Sequence, residues 1–303
     1  SYPVLIPRLN PDILVLFKNS QDTFRAAMAA MENTIPIAHI QGGEADFGQW
    51  EDSYGYGITK LSHLHFPAAA KYRQRVIDFG EHPDRVYNVG SLVAEQIRNQ
   101  AYQKTSAFYS TLGWEDKNEY ILIHFDPDPD LGSQNAFYFQ SLLDGLNRER
   151  LADFHIVFKK PAPKGLGKLI CEMTDAFIDQ HPSTAVAVPA MNLSDSSLAV
   201  KLSSVVISNN ADTGLICSLY KKPMVSIGTY RTDKEKTGNI IDCGIDPDEI
   251  LTAVQNGLSA EFQFELLQKD SPFDRQGASG KIVQLLKAFN RSDICQKAYF
   301  IAP

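Results

Sequence analysis

The feature that most limits how this chain can fold is a repeated alternation. A short apolar run leads into a polar or glycine-bearing turn, and then into a stretch with helical periodicity. Residues 13–17 are apolar throughout, as in a parallel strand covered on both faces. The pattern predicts further strands over 35–40, 65–68 and 86–89, with helices over 23–31, 53–64 and 71–79. It restarts with strands over 121–125, 155–158, 184–188, 205–207 and 224–227. Helices are predicted over 136–146, 169–178, 198–202, 214–220, 247–257 and 281–289. Such alternation implies an α/β fold, parallel sheets with helices on both faces. The stretch 97–117 is polar and patternless, which places a linker at 101–117. A partial first domain is then expected over 1–100 and a second over 118–303, with the last helix able to pack back on the first.

Composition excludes several classes. A chain of 303 residues, 44% hydrophobic and 21% charged, can bury a sizeable core. Lys and Arg number 29 against 36 Asp and Glu, a net charge of -7 that argues against a nucleic-acid partner. No apolar run approaches the roughly 18–20 residues of a membrane span, and the opening SYPVLIPRLNPD lacks the pattern of a secretory signal. Cys171, Cys217, Cys243 and Cys295 are widely spaced, which argues against structural zinc. They suit reduced thiols in the cytoplasm or an organelle interior. No cofactor or metal site is expected.

Ligands of such folds sit beyond the carboxyl ends of the strands. The loops to inspect are therefore 18–22, 41–52, 126–133, 159–167, 208–213 and 228–238. Glu44, Glu51 and Asp52 offer acid–base groups or merely favourable acids at a helix N-terminus. His39, His63, His65 and His124 sit within or beside strands, where structural hydrogen bonding accounts for them. Lys159, Lys160 and Lys164 follow a strand end and either face phosphate or form a solvated basic loop.

Four strings carry a resemblance: PDILVL (11–16), IPIAHIQGGE (35–44), ITKLSHLHF (58–66) and YRQRVIDFGEHPDRVYNVG (72–90). VVISNN (205–210), KKPMVSIGT (221–229) and NIIDCG (239–244) extend it collinearly. Together they resemble the hydrolysing type of the UDP-N-acetylglucosamine 2-epimerase family. The resemblance implies two Rossmann-like domains in a GT-B-like arrangement, with the sugar nucleotide in the cleft between them. It implies conversion of UDP-GlcNAc to ManNAc and UDP, by elimination of UDP and addition of water. That chemistry needs a base for a weakly acidic C–H, an acid for the leaving group and donors around the diphosphate. The family's opening Gly-rich βα segment has no counterpart here. The first domain is accordingly expected to be incomplete, its missing strands removed, left out or supplied by another chain.

Residue by residue, the sequence departs from the family pattern. Asn19 stands for Asp, Ser20 for Arg, Asp22 for Glu and Gln41 for Glu, while Gly42, Gly43 and Glu44 are kept. Glu51 and Asp52 keep two acids with lengths swapped, and Gly55 and Tyr56 replace Arg and His. Asp126 replaces His, Asn209, Asn210 and Asp212 fall in the Asn-Ser-Ser region, and Ile216 falls at the ribose-binding Glu. The loop 230–236 replaces an Arg-rich one. The resemblance thus assigns Asn19, Gln41, Glu51, Asp52 and Asp126 to the catalytic positions. Asp22, Gly42, Gly43, Glu44, Asn209, Asn210 and Asp212 fall at substrate-binding positions. Amides keep the shape of carboxylates but take no proton near neutral pH. The sequence therefore points to a pseudoenzyme with a structural or regulatory role and weak or lost UDP-sugar binding. The alternative is an active sugar-nucleotide enzyme reorganised around Glu51, Asp52 and Asp126. A homo-oligomer or larger assembly is expected, with the alanine-rich helix at 26–30 and the Tyr54/Tyr56 face as contacts or as core.

Overall fold

The structure, a computed structural model, describes residues 2–45, 52–114, 118–147, 151, 154–189, 191–228, 237–290, 297, 300 and 301. The chain divides into two compact units, Ser1–Gln96 with Pro272–Pro303, and Ile97–Tyr230 with Thr237–Ser271. No helix among the described residues is long and apolar enough to cross a membrane.

The first unit runs α1 (Tyr2–Leu9), β1 (Leu14–Phe17), α2 (Gln21–Glu32), β2 (Ile37–Ile40), α3 (Asp52–Leu61), β3 (Leu64–Phe66), α4 (Ala70–Asp78) and α5 (Leu92–Asn99). Its strands pair in parallel in the order β1-β2-β3. The run expected as a strand over 86–89 contributes a single bridge, Val86 to His65. The Val86 carbonyl accepts from Arg73 Nε instead of from another strand. β1 was expected to be buried throughout, yet Val15 and Phe17 are 42% and 45% exposed. They alternate with Leu14 and Leu16, which pack against α2, so it is the opposite face of β1 that is open.

Alternation along the strands sends side chains to two faces. Leu16 and Ile37 join Ala26, Ala27, Ala29 and Ala30 of α2 in one core. The alanine-rich helix thus packs inward, where small side chains let it lie close to the sheet. Ala38, Ile40, Leu64 and Phe66 form the other core with Ile282. That residue comes from the last helix, Ala278–Lys287, which groups with this unit.

The second unit holds α6 (Thr105–Thr111), β4 (Tyr120–His124), α7 (Gln134–Leu146), β5 (His155–Lys159), α8 (Leu166–Gln180), β6 (Ala185–Val188) and α9 (Leu193–Leu202). It continues with β7 (Val205–Ser208), α10 (Ala211–Leu219), β8 (Met224–Ile227), β9 (Ile240–Cys243), α11 (Pro247–Leu258) and α12 (Ala260–Leu267). The final helix of the chain, in the first unit, is α13. All six strands are parallel, in the order β6-β5-β4-β7-β8-β9. This is a Rossmann-type order, reversing direction between β4 and β7. Apolar strands such as Val205–Ser208, buried at every position, meet α7 and α11 in the core. The stretch read as a linker, 101–117, includes α6. Its Phe108 and Tyr109 are buried against Tyr120, with ring centroids 6.5 and 6.2 Å away.

Candidate functional site

In the first unit, β1 and β2 each run into a residue with left-handed backbone, Lys18 (φ 58°) and Gln41 (φ 60°). For a side-chain-bearing residue that conformation costs roughly 1–2 kcal/mol, so tertiary contacts must hold it. The Gly43 carbonyl accepts from Arg75 Nη1 at 2.7 Å, which ties the turn to α4. Gln41 is buried, and its Nε2 donates to Glu44 Oε1 at 3.3 Å.

His39 sits two residues before Gln41 and is 0% exposed. Its Nε2 lies 3.4 Å from the Lys18 carbonyl, to which it donates. Nδ1 is then an acceptor with no hydrogen bond among the described residues. Burial, reinforced by His65 alongside, drives its pKa down to about 3, so the ring is neutral near pH 7. Only glycine fits at position 42, because a Cβ there would come within 2.5 Å of His39 Nδ1.

Asn19 occupies space left by Gly55, whose added Cβ would meet Asn19 Nδ2 at 2.6 Å. Asn19 Oδ1 and Gln41 Oε1, like His39 Nδ1, are buried and meet no donor among the described residues. These three atoms can accept a hydrogen bond from a ligand or water. None belongs to a group that takes up a proton near neutral pH. Asp52 is buried in the first turn of α3, whereas Glu51 lies outside the described residues. Asp22 is exposed on α2 and reaches Arg25 at 3.4 Å.

His39 and His65 are register partners on β2 and β3. His65 Nε2 donates to Glu81 Oε2 at 3.0 Å, and Lys60 and Lys297 donate to the same carboxylate at 2.6 and 2.7 Å. Burial opposes ionisation of Glu81, but these donors prevail and bring its pKa down to about 2. Lys297 also donates to the Thr59, Lys60 and Ser62 carbonyls, fastening the end of α3. The His63 Nδ1 accepts from the Ile37 amide at 3.2 Å.

The second unit has a cavity of about 430 Å³ at the carboxyl ends of β4, β5 and β7. It lies where the strand order reverses, the expected ligand position in an open α/β sheet. Asp126 is clamped there by Asn209, whose Oδ1 accepts from the Asp126 amide at 2.9 Å and whose Nδ2 donates to its carbonyl at 2.6 Å. The Asp126 carboxylate accepts from Asn210 Nδ2 at 2.7 Å and lies 3.3 Å from His124 Nε2. Burial works against its charge, yet His124, Asn210 and the Lys159 ammonium hold its pKa below the ordinary value. Asn210 also caps α10, its Oδ1 accepting from the Thr213 amide at 3.1 Å. The Thr213 hydroxyl lies 2.7 Å from His124 Nδ1 and donates to it.

Lys159 ends β5 in register with His124 and lines the same cavity. Its pKa is lowered by burial, with Asp126 opposing. Lys160 pairs with Asp175, and Lys164 is exposed. Leu122, Met191, Val200 and Ile216 give the cavity an apolar wall. His124, read from the sequence as structural, thus lines the cavity. Arg75 was missed altogether, since nothing in a helix string reveals which turn its guanidinium will reach.

A sequence model of the UDP-N-acetylglucosamine 2-epimerase family matches residues 4–287. The chain belongs to this family. It is 26% identical, over 96% of its length and 75% of the relative's, to GDP/UDP-N,N'-diacetylbacillosamine 2-epimerase (hydrolyzing) from Campylobacter jejuni. It is 25% identical to UDP-N,N'-diacetylbacillosamine 2-epimerase (hydrolyzing) from Legionella pneumophila, over 82% of this chain and 64% of that protein. The chain therefore spans less than two thirds of the Legionella relative. Among solved structures it superposes on an S. aureus MnaA-UDP co-structure with TM-score 0.80 at 15% identity, covering 99% of this chain and 82% of that one. For the Neisseria meningitidis UDP-GlcNAc 2-epimerase bound to UDP-GlcNAc, the TM-score is 0.79 at 16% identity, with 95% and 79% covered. These are likenesses of fold, α/β with Rossmann-like units of the GT-B kind.

Proposed function

We propose that this epimerase-family chain has lost the hydrolysing 2-epimerase chemistry and serves a structural or regulatory role, in a homo-oligomer or a larger protein assembly. One observation carries this reading. At the ends of β1 and β2, Asn19, His39 and Gln41 present acceptors that stay unprotonated and weakly basic. The resemblance places acid–base groups at positions 19 and 41. Loss of one such group slows a reaction by about 10²–10⁴. Asp126 adds to this, since it fixes an anion where the family pattern has a histidine near phosphate. The free thiols of Cys171, Cys217 and Cys243 suit a reducing compartment.

The purified protein tests this with UDP-GlcNAc and with UDP-N,N'-diacetylbacillosamine, by following UDP release. No release above the protein-free blank is expected. UDP appearing together with the 2-epimeric free sugar refutes the proposal. A second reading, retained catalysis at a reorganised site, draws on the buried carboxylate of Asp52. It requires UDP release that disappears in Asp52→Asn.

A further inference from the structure

The cavity of the second unit has an uneven distribution of charge. Its Asp126 carboxylate is already engaged through one oxygen, by Asn210 and His124. Lys160 is engaged by Asp175. The Lys159 side chain is half-buried and meets no direct hydrogen-bond or ion-pair acceptor among the described residues, and Asp126 is the nearby charge that favours its ionised form. A half-buried ammonium with no direct hydrogen-bonded anion can accept one, and the charge-assisted hydrogen bond formed there is stronger than one in open water. Asp126 and Lys159 feel each other's charge and sit on neighbouring strand ends. A first anionic group has Lys159 to meet. A second must share the space with Asp126 and Asp212. The wall built from Leu122, Val200 and Ile216 is apolar and adds no cation to offset it.

We infer that this cavity binds a ligand bearing a single phosphoryl group and discriminates against one bearing two. Lys159 receives the anion and Asp126 sets the limit. The inference rests on the proposal that the chain no longer processes a nucleoside-diphosphate sugar. A phosphomonoester of either a nucleoside or a sugar has this chemistry, and the test separates the two.

Isothermal calorimetry on the full chain, at fixed pH and salt, compares UMP, N-acetylglucosamine 1-phosphate, UDP and uridine. At least one monoester is expected to bind at least about tenfold more tightly than UDP, with uridine at least about tenfold weaker than UMP if UMP is the preferred one. Preference for UMP alone assigns a nucleotide, and preference for the sugar phosphate alone assigns a sugar ester. Lys159→Met should weaken the preferred monoester about tenfold or more, while Lys159→Arg, which keeps the charge, retains it. Asp126→Asn should bring UDP to within about threefold of the monoester. Far-UV circular dichroism establishes that each variant is folded. UDP binding as tightly as both monoesters in the unaltered protein overturns the inference. So does an absence of monoester binding at about 10 mM ligand, or a folded Lys159→Met with unchanged affinity. UDP release from UDP-GlcNAc would refute the proposed loss of chemistry, whereas the monoester-to-UDP ratio is read separately and refutes only this inference.

Discussion

Mild acid is expected to loosen the first unit, with His39 as the leading group. The ordinary histidine value is 6.5, and His39 in the fold sits near 3. Its folded pKa is therefore depressed, and between those values the unfolded chain binds more protons. Stability is lost as pH falls below 6.5, and the loss levels off near 3. Each pH unit inside that window is worth about 1.4 kcal/mol. A drop from about pH 6.5 to 4.5 thus removes about 2 kcal/mol through His39 alone. His63, lowered by burial to about 4, contributes with the same sign. Native-state hydrogen exchange at the β2 amides reads this unit directly, after correction for intrinsic rates. His39→Gln keeps a donor for the Lys18 carbonyl and does not titrate. Its opening free energy should fall by about 2–3 kcal/mol less than that of the unaltered protein over the same interval. Equal pH dependence in the two proteins would refute the account of a buried, neutral His39.

Three further outcomes follow from named contacts. Glu81→Gln should destabilise the protein by about 3 kcal/mol near pH 7 in urea titrations, because it leaves buried His65 and two partly exposed lysines without their anion. Glu81 has a depressed pKa, so that gap should close as pH falls from about 4.5 towards about 2; equal stabilities at neutral pH would contradict it. Gly42→Ala should lower the Tm, with about 1–3 kcal/mol lost to overpacking against His39; an unchanged Tm would contradict the close approach. Asn210→Ala should cost about 1 kcal/mol by removing the cap of α10, and should raise the Asp126 pKa, followed by carboxyl NMR titration; an unmoved pKa would deny the Asn210–Asp126 bond.

The second sheet was readable from sequence because strands such as Val205–Ser208 are buried at every position and so appear as unbroken apolar runs. β9 was missed for the opposite reason: its IIDC places Asp242 at an exposed position in a half-buried outer strand. The helix α6 was missed because its seven residues are mostly polar and only Phe108 and Tyr109 tie it to the core. Ala26, Ala27, Ala29 and Ala30 are buried against Ile37 and Leu16, which gives the alanine-rich helix an interior face, while Met28 between them is 41% exposed. Within the candidate site, Asn19, Gln41 and Asp126 stood out as replacements within recognisable strings. His124 and Lys159 matter through their register on β4 and β5, which brings them to one cavity from positions 35 residues apart, 159 against 124. Spacing along the chain carries no trace of that. The Glu81 network likewise depends on Lys297, a distant residue that only the fold brings to α3.

If the proposed loss of chemistry holds, the sugar C–H proton stays in place. Incubating the protein with UDP-GlcNAc, and separately with UDP-N,N'-diacetylbacillosamine, in deuterated buffer tests it most directly, with mass spectrometry of the recovered sugars. No deuterium on carbon beyond the protein-free control is expected. Deuterium incorporated at the carbon next to the anomeric centre, in substrate or product, would contradict it.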